Sequence, residues 1–337
     1  MAIKVAINGF GRIGRDFYRI ALENNADFEL VAVNNASAKP ATIAHLFKYD
    51  SVFGKFAGTV ESTDDSIIIN GHEIKALNIT DPSQCPWKEL GVDVVFESSG
   101  KLTKRADCEK HLAAGAKKVI ISAPGTDEDA TIVMGVNDAI YDKDKHAIIS
   151  AASCTTNCLA PVTKAIDDAF GVEHGLMTTV HAYTQDQKIL DLNHKDLRRA
   201  RAAGLSMIPT TTGAAKAVGK VLPHLQGKLN GFALRVPTPD VSVVDVTFIL
   251  KKAVTKEDVN AALKAASDGA LKDNLGYSEE PLVSIDWKGD THGGVVDALS
   301  TMVMGDNMVK VLAWYDNEWG YTSQAYRLVK KVCDSLK

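Results

Sequence analysis

A glycine-rich segment, NGFGRIG at residues 8–14, stands between a short β-branched run and an amphipathic stretch. Its GxGxxG spacing is weak evidence by itself, because glycines also serve ordinary turns. Between a strand and a helix, such glycines permit a tight turn and let the backbone approach a pyrophosphate at the helix N-terminus. The segment therefore predicts a dinucleotide site, and its candidate contacts are Gly9, Gly11, Arg12, Ile13 and Gly14.

Short β-branched runs alternate with helix-like stretches over the first 150 residues. The runs cover residues 3–8, 28–33, 92–97, 117–122 and 146–151. Apolar residues between Ile13 and Ala21 recur at helical spacing. This alternation predicts a Rossmann-type doubly wound parallel sheet. An inserted hairpin is predicted at residues 67–77, because Asn70-Gly71 suits a type I′ turn.

The second half of the chain has longer runs in which apolar and polar residues alternate. They cover residues 177–183, 229–237, 241–250 and 308–315. Alternation indicates strands with one packed face, and hence a mainly antiparallel sheet. Helical spacing at residues 321–336 predicts a C-terminal amphipathic helix. The expected fold class is α/β, with a Rossmann-type domain followed by an α+β domain.

The most informative chemical motif is SCTTNC at residues 153–158, where a cysteine follows an apolar run and opens a predicted helix. Backbone N–H groups and the helix dipole at such a position favour a thiolate over a thiol. Cys154 is therefore the candidate nucleophile. Cys158, one turn later, is interpreted as a packed residue. Pro161 predicts that this helix either starts late or bends.

His181 is the best candidate for the base, because it ends a β-rich run and a segment of hydroxyl and charged side chains follows it directly. A thiol and an imidazole together suit nucleophilic catalysis with proton transfer. Cys154 and Cys158 would share a helix face, but zinc usually needs four ligands, and no second CxxC or histidine cluster accompanies them. We expect no metal site.

Length and composition limit the function further. A chain of 337 residues with 45% apolar composition can bury two cores. A formal net charge of -4 argues against a dedicated nucleic-acid partner, and no run reaches the ~18 apolar residues of a membrane span. Five scattered cysteines favour a reducing compartment over a disulfide framework. We expect a cytoplasmic protein with no membrane partner.

Six sequence blocks make the chain resemble the phosphorylating glyceraldehyde-3-phosphate dehydrogenases. They are SCTTNC (153–158), TTVHAYT (178–184), HKDLRRARAA (194–203), PTTTGAAKAVGKVLP (209–223), RVPTP (235–239) and WYDNEWGY (314–321). The resemblance implies a dinucleotide-binding domain at residues 1–152, a catalytic domain at 153–318 and a helix at 319–337 that packs back on the first domain. It also implies a homotetramer.

The resemblance implies oxidation of D-glyceraldehyde 3-phosphate to 1,3-bisphosphoglycerate, with inorganic phosphate as co-substrate and NAD or NADP as hydride acceptor. Cys154 would form a hemithioacetal, His181 would remove its hydroxyl proton, and phosphate would cleave the resulting thioester. Residues implied for the substrate phosphate are Thr184, Asp186, Arg199 and Arg235. Residues implied for the attacking phosphate are Ser153, Thr155, Thr212 and Gly213.

Further cofactor contacts implied by the resemblance are Ser99, Gly100, Ser122, Asn193 and Asn317. NAD-specific relatives carry an acidic residue where this chain has Asn35, and a neutral amide does not repel a 2′-phosphate. Ser37 or Lys39 would contact such a phosphate. Asn193, where NAD-specific relatives have proline, also favours NADP, whereas Thr80, where many relatives have arginine, favours NAD. Both cofactors stay open.

Other dehydrogenases and other classes of protein are alternatives to this function. Erythrose-4-phosphate dehydrogenase is the nearest alternative, and aspartate-semialdehyde dehydrogenase shares the cysteine–histidine chemistry. Thr212, Gly213 and Arg199 favour the phosphate-using enzyme. A cysteine hydrolase would leave the glycine segment and the two anion sites unexplained, and a nonenzymatic binding protein would need neither Cys154 nor His181. RNA binding through the cofactor groove stays open.

Overall fold

The computed structural model describes residues 2–337. The chain divides into two compact units. The first comprises Met1–Ile132, Ala139–Ala152 and Ala325–Lys337, and the second comprises Val133–Asp138 and Ser153–Gln324. Each unit contains its own large sheet.

The first unit is built on a nine-stranded sheet, accompanied by a separate strand pair. The strands, in chain order, are β1 (Ile3–Asn8), β2 (Phe28–Asn34), β3 (Tyr49–Asp50), β4 (Gly54–Lys55), β5 (Val60–Ser62), β6 (Ser66–Ile69), β7 (His72–Leu77), β8 (Val94–Glu97), β9 (Lys118–Ile121), β10 (Ala130–Thr131) and β11 (Ile148–Ser150). The sheet order is β10-β11-β9-β8-β1-β2-β7-β6-β5, and β3 pairs with β4. The pairs from β10 to β7 are parallel.

Helices connect these parallel strands. They are α1 (Arg12–Glu23), α2 (Pro40–Lys48), α3 (Trp87–Leu90) and α4 (Arg105–Ala113), with 3₁₀ turns at Pro82–Gln84 and Asp138–Ile140. The connections run to opposite sides of β1, so the strand order reverses between β1 and β8. The doubly wound parallel sheet predicted from the sequence is confirmed.

The predicted hairpin is present. β6 and β7 are antiparallel, and the two turn residues Asn70 and Gly71 have φ angles of 51° and 81°, as a type I′ turn requires. After the turn, β7 pairs in parallel with β2, so the hairpin extends the large sheet. Aromatic rings from Phe17 and Phe28 pack against Tyr326 of the C-terminal helix within this unit.

The second unit contains a seven-stranded, mainly antiparallel sheet, as predicted. Its elements are α5 (Cys154–Phe170), β12 (Val172–Ala182), β13 (Ile208–Thr211), α6 (Ala214–Val221), β14 (Leu229–Val236), β15 (Ser242–Leu250), α7 (Lys256–Asp268), β16 (Leu275–Ser278), β17 (Gly294–Met304) and β18 (Met308–Tyr315), with 3₁₀ turns at Ala203–Leu205, Pro223–Leu225 and Ser284–Trp287. The last helix, α8 (Trp319–Leu336), starts in this unit, and its residues from Ala325 onward belong to the first unit. The sheet order is β13-β14-β12-β15-β18-β17-β16. Two of its pairs, β12 with β14 and β16 with β17, are parallel.

The helix after the candidate nucleophile does not start late. It begins at Cys154 and continues to Phe170, with Pro161 inside it. A proline nitrogen cannot donate to the carbonyl one turn earlier, which here belongs to Asn157. A Cβ at Gly293 would lie 2.5 Å from that carbonyl oxygen, so the position requires glycine.

Candidate active site

Cys154 is the first residue of α5, and a capped turn presents it. The Oγ of Ser153, the N-cap residue, accepts a hydrogen bond from the backbone N–H of Thr156 at 3.1 Å. Ala152, immediately before the cap, has a φ of 58°. This left-handed conformation costs a residue other than glycine about 1–3 kcal/mol, so the turn that leads to the cysteine is strained.

The Sγ of Cys154 lies 3.4 Å from the Nε2 of His181. The Nδ1 of His181 is 2.7 Å from the carbonyl oxygen of Ala182. A proton on Nδ1 would donate to that carbonyl and leave the Nε2 lone pair facing the thiol, whereas a proton on Nε2 would leave Nδ1 as an acceptor. The distance brings His181 within reach of the Cys154 proton, and its role as the base remains a prediction.

Arg235 stands beside this pair because β12 and β14 run in parallel with His181 opposite Arg235. Its Nη1 donates to the carbonyl oxygen of Ala182 at 2.9 Å and lies 2.8 Å from the Nδ1 of His181. Its buried Nε has no hydrogen-bond partner among residues 2–337. An unpaired buried guanidinium N–H is costly, and an anionic ligand would satisfy it.

The electrostatics of the pair differ from the sequence-based expectation. Burial, and after it the positive charge of Arg235, lower the pKa of His181 to about 3. Burial raises the pKa of the Cys154 thiol, although Arg235 and hydrogen bonds at the start of the helix act in the opposite direction. Desolvation therefore opposes the expected thiolate, while Arg235 and the helix N-terminus favour it.

Tyr315 supports both members of the pair, and sequence reasoning did not assign it a role. Its hydroxyl is 2.8 Å from the Oγ1 of Thr155 and 2.7 Å from the Oγ1 of Thr179. Its ring meets His181 edge to face, with 5.8 Å between centroids and an interplanar angle of 82°. The alternation of β18 and the nearby Asn317 were the available signals for this residue.

A second group of charged side chains surrounds Arg199. Its Nη1 donates to Asp186 at 2.5 Å, and its Nε donates to the Oγ1 of Thr210 at 2.8 Å. Asp186 also contacts the Nε2 of His194 at 3.2 Å, and its hydrogen bonds with Arg199 and His194 hold the pKa of Asp186 below its usual value despite partial burial. Asp186 thus orients Arg199, since a carboxylate does not itself attract a phosphate.

The remaining residues predicted for phosphate have local contacts. The backbone N–H of Thr184 donates to Gln187, and Thr155 shares its hydroxyl with Tyr315. Thr212 Oγ1 accepts from the N–H of Ala214, and a Cβ at Gly213 would have no heavy atom within 4 Å. An open glycine at the start of α6 suits an anion. The joint role of these residues remains a prediction.

Asn317 is held by a short hydrogen-bonded chain. The N–H of Ala182 donates to Ser242 Oγ at 3.0 Å, and Ser242 Oγ donates to Asn317 Oδ1 at 2.6 Å. Because the oxygen of the buried amide is occupied, its nitrogen is the end that faces a ligand. This orientation suits the predicted contact with a nicotinamide carboxamide, which offers an acceptor oxygen.

The three glycines of the GxGxxG segment differ in what a side chain at each position would contact. Gly9 has a φ of 95°, and a Cβ there would lie 2.3 Å from the backbone nitrogen of Ser99. A Cβ at Gly14 would lie 2.4 Å from the carbonyl oxygen of Gly9. Gly11, the N-cap of α1, would meet nothing within 4 Å. The open backbone at the helix N-terminus therefore fits a dinucleotide pyrophosphate.

The neighbouring candidates lie at the carboxyl ends of the first unit's parallel strands. Ile13 is half-buried in α1, and Arg12 forms an ion pair with Asp50 at 2.7 Å. Ser99 and Gly100 follow β8, and Ser122 follows β9. The crevice beyond these strand ends is where doubly wound sheets bind ligands.

The residues predicted to set cofactor selectivity are accessible. Asn35 follows β2 and is half-buried, and its Oδ1 accepts from the Oγ of the exposed Ser37 at 3.3 Å. Lys39 is the exposed N-cap residue of α2. In the second unit, Asn193 is exposed on the segment between β12 and β13. Selectivity between NAD and NADP remains a prediction.

Within residues 2–337, no three histidine, cysteine or acidic side chains are grouped to hold a metal ion. In the same part of the chain, no helix has both the length and the apolar character needed to cross a membrane. All five cysteines are free thiols, and Cys158 is buried one turn behind Cys154, as interpreted from the sequence.

Comparison with known families gives two matches that together cover most of the chain. The model of the glyceraldehyde 3-phosphate dehydrogenase NAD binding domain matches residues 3–105. The model of the glyceraldehyde 3-phosphate dehydrogenase C-terminal domain matches residues 153–317.

Individual relatives match over nearly their whole length. The chain is 60% identical to glyceraldehyde-3-phosphate dehydrogenase of Geobacillus stearothermophilus over 332 residues, which is 98% of each chain. It is 59% identical to glyceraldehyde-3-phosphate dehydrogenase 1 of Bacillus cereus, over 96% of this chain and 97% of the relative. It is 56% identical to the Streptomyces coelicolor enzyme of the same name over the full length of both.

Proposed function

The chain belongs to the glyceraldehyde 3-phosphate dehydrogenase family, and we propose on that basis that it oxidises D-glyceraldehyde 3-phosphate to 1,3-bisphosphoglycerate with inorganic phosphate. The observation that carries the proposal is the Sγ–Nε2 distance of 3.4 Å between Cys154 and His181, with Arg235 beside them. Erythrose-4-phosphate dehydrogenase is not favoured, because relatives at 59–60% identity are named for the three-carbon substrate.

In the proposed mechanism, His181 accepts the proton of the Cys154 thiol as the sulfur attacks the aldehyde carbon, and returns it to the former carbonyl oxygen, giving a hemithioacetal with His181 neutral again. The neutral state of His181 suits this acceptance. Its Nδ1 bond to Ala182 and the ring contact with Tyr315 fix the imidazole in place. The Nε2 of His181, which faces Cys154, then takes the proton of the hemithioacetal hydroxyl as a hydride leaves the carbon, which produces a thioester on Cys154.

NAD or NADP, when bound, supplies the acceptor for that hydride. The residues that would hold it are the glycine segment, the loops after β8 and β9, and Asn317. For the ribose end we propose that Asn35 admits NADP as well as NAD. No acidic side chain occupies that position, so a 2′-phosphate meets no fixed negative charge there.

Two anions need separate binding groups in this reaction. We assign the substrate phosphate to Arg235, Arg199 and Thr184, with Asp186 orienting Arg199. The unsatisfied Nε of Arg235 supports this assignment. We assign the attacking phosphate to Ser153, Thr155, Thr212 and Gly213, because hydroxyls and an open helix N-terminus bind an anion without adding a nucleophile.

We further propose a cytoplasmic homotetramer. Five free cysteines suit a reducing compartment. Large apolar side chains are exposed on the segment between β12 and β13, with Ile189 at 89% and Leu192 at 64%. Others are exposed on β17, with Met302 at 61% and Met304 at 68%. Apolar patches of this kind commonly mark protein interfaces.

The test is an assay of dinucleotide reduction with glyceraldehyde 3-phosphate and with erythrose 4-phosphate, each with and without inorganic phosphate. We expect sustained turnover only with the three-carbon aldehyde and phosphate, and at most a brief burst without phosphate. Cys154→Ser should abolish turnover, whereas Cys158→Ser makes the same chemical change one helical turn later and should retain it. Sustained oxidation without phosphate would identify a hydrolytic enzyme instead.

A further inference from the structure

A chain of hydrogen bonds with a defined direction runs through the interior of the first unit. The Nε1 of Trp87 donates to the Nδ1 of His111 at 3.0 Å. The Nε2 of His111 lies 3.1 Å from the Oε2 of Glu97. An indole nitrogen can only donate, so Nδ1 accepts and Nε2 carries the hydrogen given to Glu97. All three side chains are buried.

The same carboxylate oxygen also accepts a hydrogen bond from Asn8, and Asn34 in turn orients Asn8. The backbone of Ile79 fixes the amide of Asn34, because its N–H donates to Oδ1 and its carbonyl accepts from Nδ2, both at 2.9 Å. The Nδ2 of Asn34 also donates to Asn8 Oδ1 at 2.7 Å. Asn8 must therefore turn its Nδ2 toward Glu97 Oε2, at 2.5 Å.

The other carboxylate oxygen is occupied by Ser99. The Oε1 of Glu97 accepts from the backbone N–H of Ser99 at 2.8 Å and from its Oγ at 2.5 Å. Glu97 thus has four neighbouring donors, two at each carboxyl oxygen. A buried polar group is tolerated when its hydrogen bonds are complete, and here they are.

The network joins the strand ends that build the dinucleotide crevice. Asn8 ends β1 and precedes Gly9, and Ser99 lies in the loop after β8. Ser98 Oγ donates to the carbonyl oxygen of Gly9 at 2.7 Å, so the two loops are in direct contact. Asn34 ends β2, next to the selectivity position. One carboxylate therefore fixes the ends of three neighbouring parallel strands.

We propose that Glu97 and His111 are positioning residues for dinucleotide binding, acting through the Asn8 and Ser99 loops without touching the ligand. The inference rests on the proposed function, because it takes the dinucleotide to be the ligand of this crevice. A bond network fully satisfied by protein groups pre-organises a site, so its loss should weaken binding without changing the chemistry at Cys154.

Two substitutions at one position separate the two bonds of His111. A glutamine nitrogen can take the place of Nε2, so His111→Gln keeps the donor to Glu97. An asparagine can take the place of Nδ1 only, so His111→Asn keeps the acceptor for Trp87 and removes the donor to Glu97. We expect His111→Asn to raise the Kd for NAD about tenfold, the usual scale for leaving a buried polar group without its hydrogen bond. His111→Gln should stay near wild type.

The measurement is calorimetric titration of NAD into folded protein, with Tm recorded for each variant. Lys118→Met is the matched control. Lys118 is buried at the amino end of β9, whereas the crevice lies beyond the carboxyl ends of the strands. Its Nζ donates to the carbonyl oxygens of Lys143 and His146. We expect it to lower Tm and leave the Kd unchanged. The KM for the aldehyde should be unchanged in every variant at saturating NAD.

Each outcome is decisive. If wild type binds neither NAD nor NADP, the proposed function fails. If wild type binds and His111→Asn binds equally well, the inference fails while the proposed function stands. Equal loss of affinity in both His111 variants would also overturn the specific role of the Nε2 bond. Should His111→Asn not fold, Glu97→Gln replaces one acceptor oxygen by an amide N–H at a residue that does not touch the ligand, and should raise the Kd severalfold; an unchanged Kd overturns the proposal.

Discussion

His181 illustrates how its neighbours set the chemistry of one residue. Its pKa is lowered to about 3 by burial and by the positive charge of Arg235. The unfolded chain binds a proton at His181 near its ordinary pKa of about 6.5, whereas the folded chain does not. Between these values the unfolded state holds more protons, so this residue makes the protein less stable as pH falls from 6.5 toward 3.

Replacing His181 with asparagine should separate catalysis from folding. We expect kcat to fall by roughly 10² to 10⁴, the range for a positioned acid/base. The variant should also lose part of the acid sensitivity of unfolding between pH 6.5 and 3, because the buried neutral imidazole is gone. Turnover and the urea midpoint at pH 4.5 and 7.5 measure both effects, and a variant with near-wild-type kcat would exclude His181 as the base.

Asn35 carries the prediction on cofactor selectivity. Two unit charges about 4 Å apart interact by ~4 kcal/mol at an effective dielectric near 20, an upper limit for a solvent-exposed site. A third of that energy already changes affinity about tenfold. We expect kcat/KM with NADP within about tenfold of that with NAD or better, and Asn35→Asp to weaken NADP use selectively. A wild-type preference for NAD above a hundredfold would contradict this.

Asp240 is a buried carboxyl near the active site with an unusual protonation state. Burial, together with the negative charges of Asp316 and Glu318, raises its pKa to about 8. Asp316 accepts backbone N–H groups from Gly289, Glu318 and Trp319, so the proton belongs on Asp240. The folded state therefore binds more protons than the unfolded state between the ordinary aspartate pKa and about 8, and this residue reduces stability as pH rises through that window.

The isosteric change Asp240→Asn should remove this pH dependence, since an amide is neutral at every pH. We expect the Tm of the variant to rise relative to wild type as pH increases from 5 to 8, and the difference to level off above that. Thermal unfolding in matched buffers at pH 5, 7 and 9 is the measurement. A Tm difference that is constant with pH would show that Asp240 is ionised in the folded state.

At the scale of elements, the pairing of β12 with β14 places Arg235 against His181. No spacing in the sequence reveals this neighbour, because 53 residues separate Arg235 from the contacted carbonyl of Ala182. Arg235 lowers the pKa of both Cys154 and His181. Strand pairing therefore tunes the reacting groups as well as holding the sheet together.

Arg235→Leu should raise the pKa of both groups and weaken aldehyde binding. We expect the pH profile of Cys154 alkylation to move to higher pH, the KM for the aldehyde to rise, and the Kd for NAD to stay the same. Arg201→Leu is the matched control, because it removes the same charge from an exposed ion pair with Asp191. Equal alkylation shifts in both variants would show a general charge effect instead.

Elements with a strong local signal were predictable, and those defined by tertiary contacts were not. The glycine turn, the Asn70-Gly71 hairpin and the start of α5 follow from backbone chemistry within a few residues. Strand β17 was missed because outward positions such as Leu299, Met302 and Met304 are apolar, which hides the alternation. The sequence shows the helix N-terminus that favours a thiolate at Cys154, and it does not show the desolvation that raises the pKa of this half-exposed thiol. The network around Glu97 joins residues far apart in the chain, so no sequence motif predicts it.

At the scale of the whole molecule, two groups of exposed apolar side chains support the proposed homotetramer. One group lies on β17, and the other on the segment between β12 and β13, where Leu197 is 81% exposed. Water-exposed leucine and methionine at this density are unfavourable in a monomer, and burial against other copies of the chain removes that cost. A homotetramer with two kinds of contact would use both groups.

This assembly predicts distinct effects from charges placed on each group. Met302→Glu should disrupt one contact and Ile189→Glu the other, so each variant should sediment as a smaller species than wild type, while the double variant should be monomeric. Ile140→Glu, at an apolar side chain that is 52% exposed in the first unit, is the control and should leave the assembly intact.

Because association stabilises the folded chain by mass action, the Tm of wild type should rise with protein concentration and that of the double variant should not. Sedimentation velocity at several concentrations measures this, and a wild-type protein that sediments as a monomer throughout would exclude the tetramer.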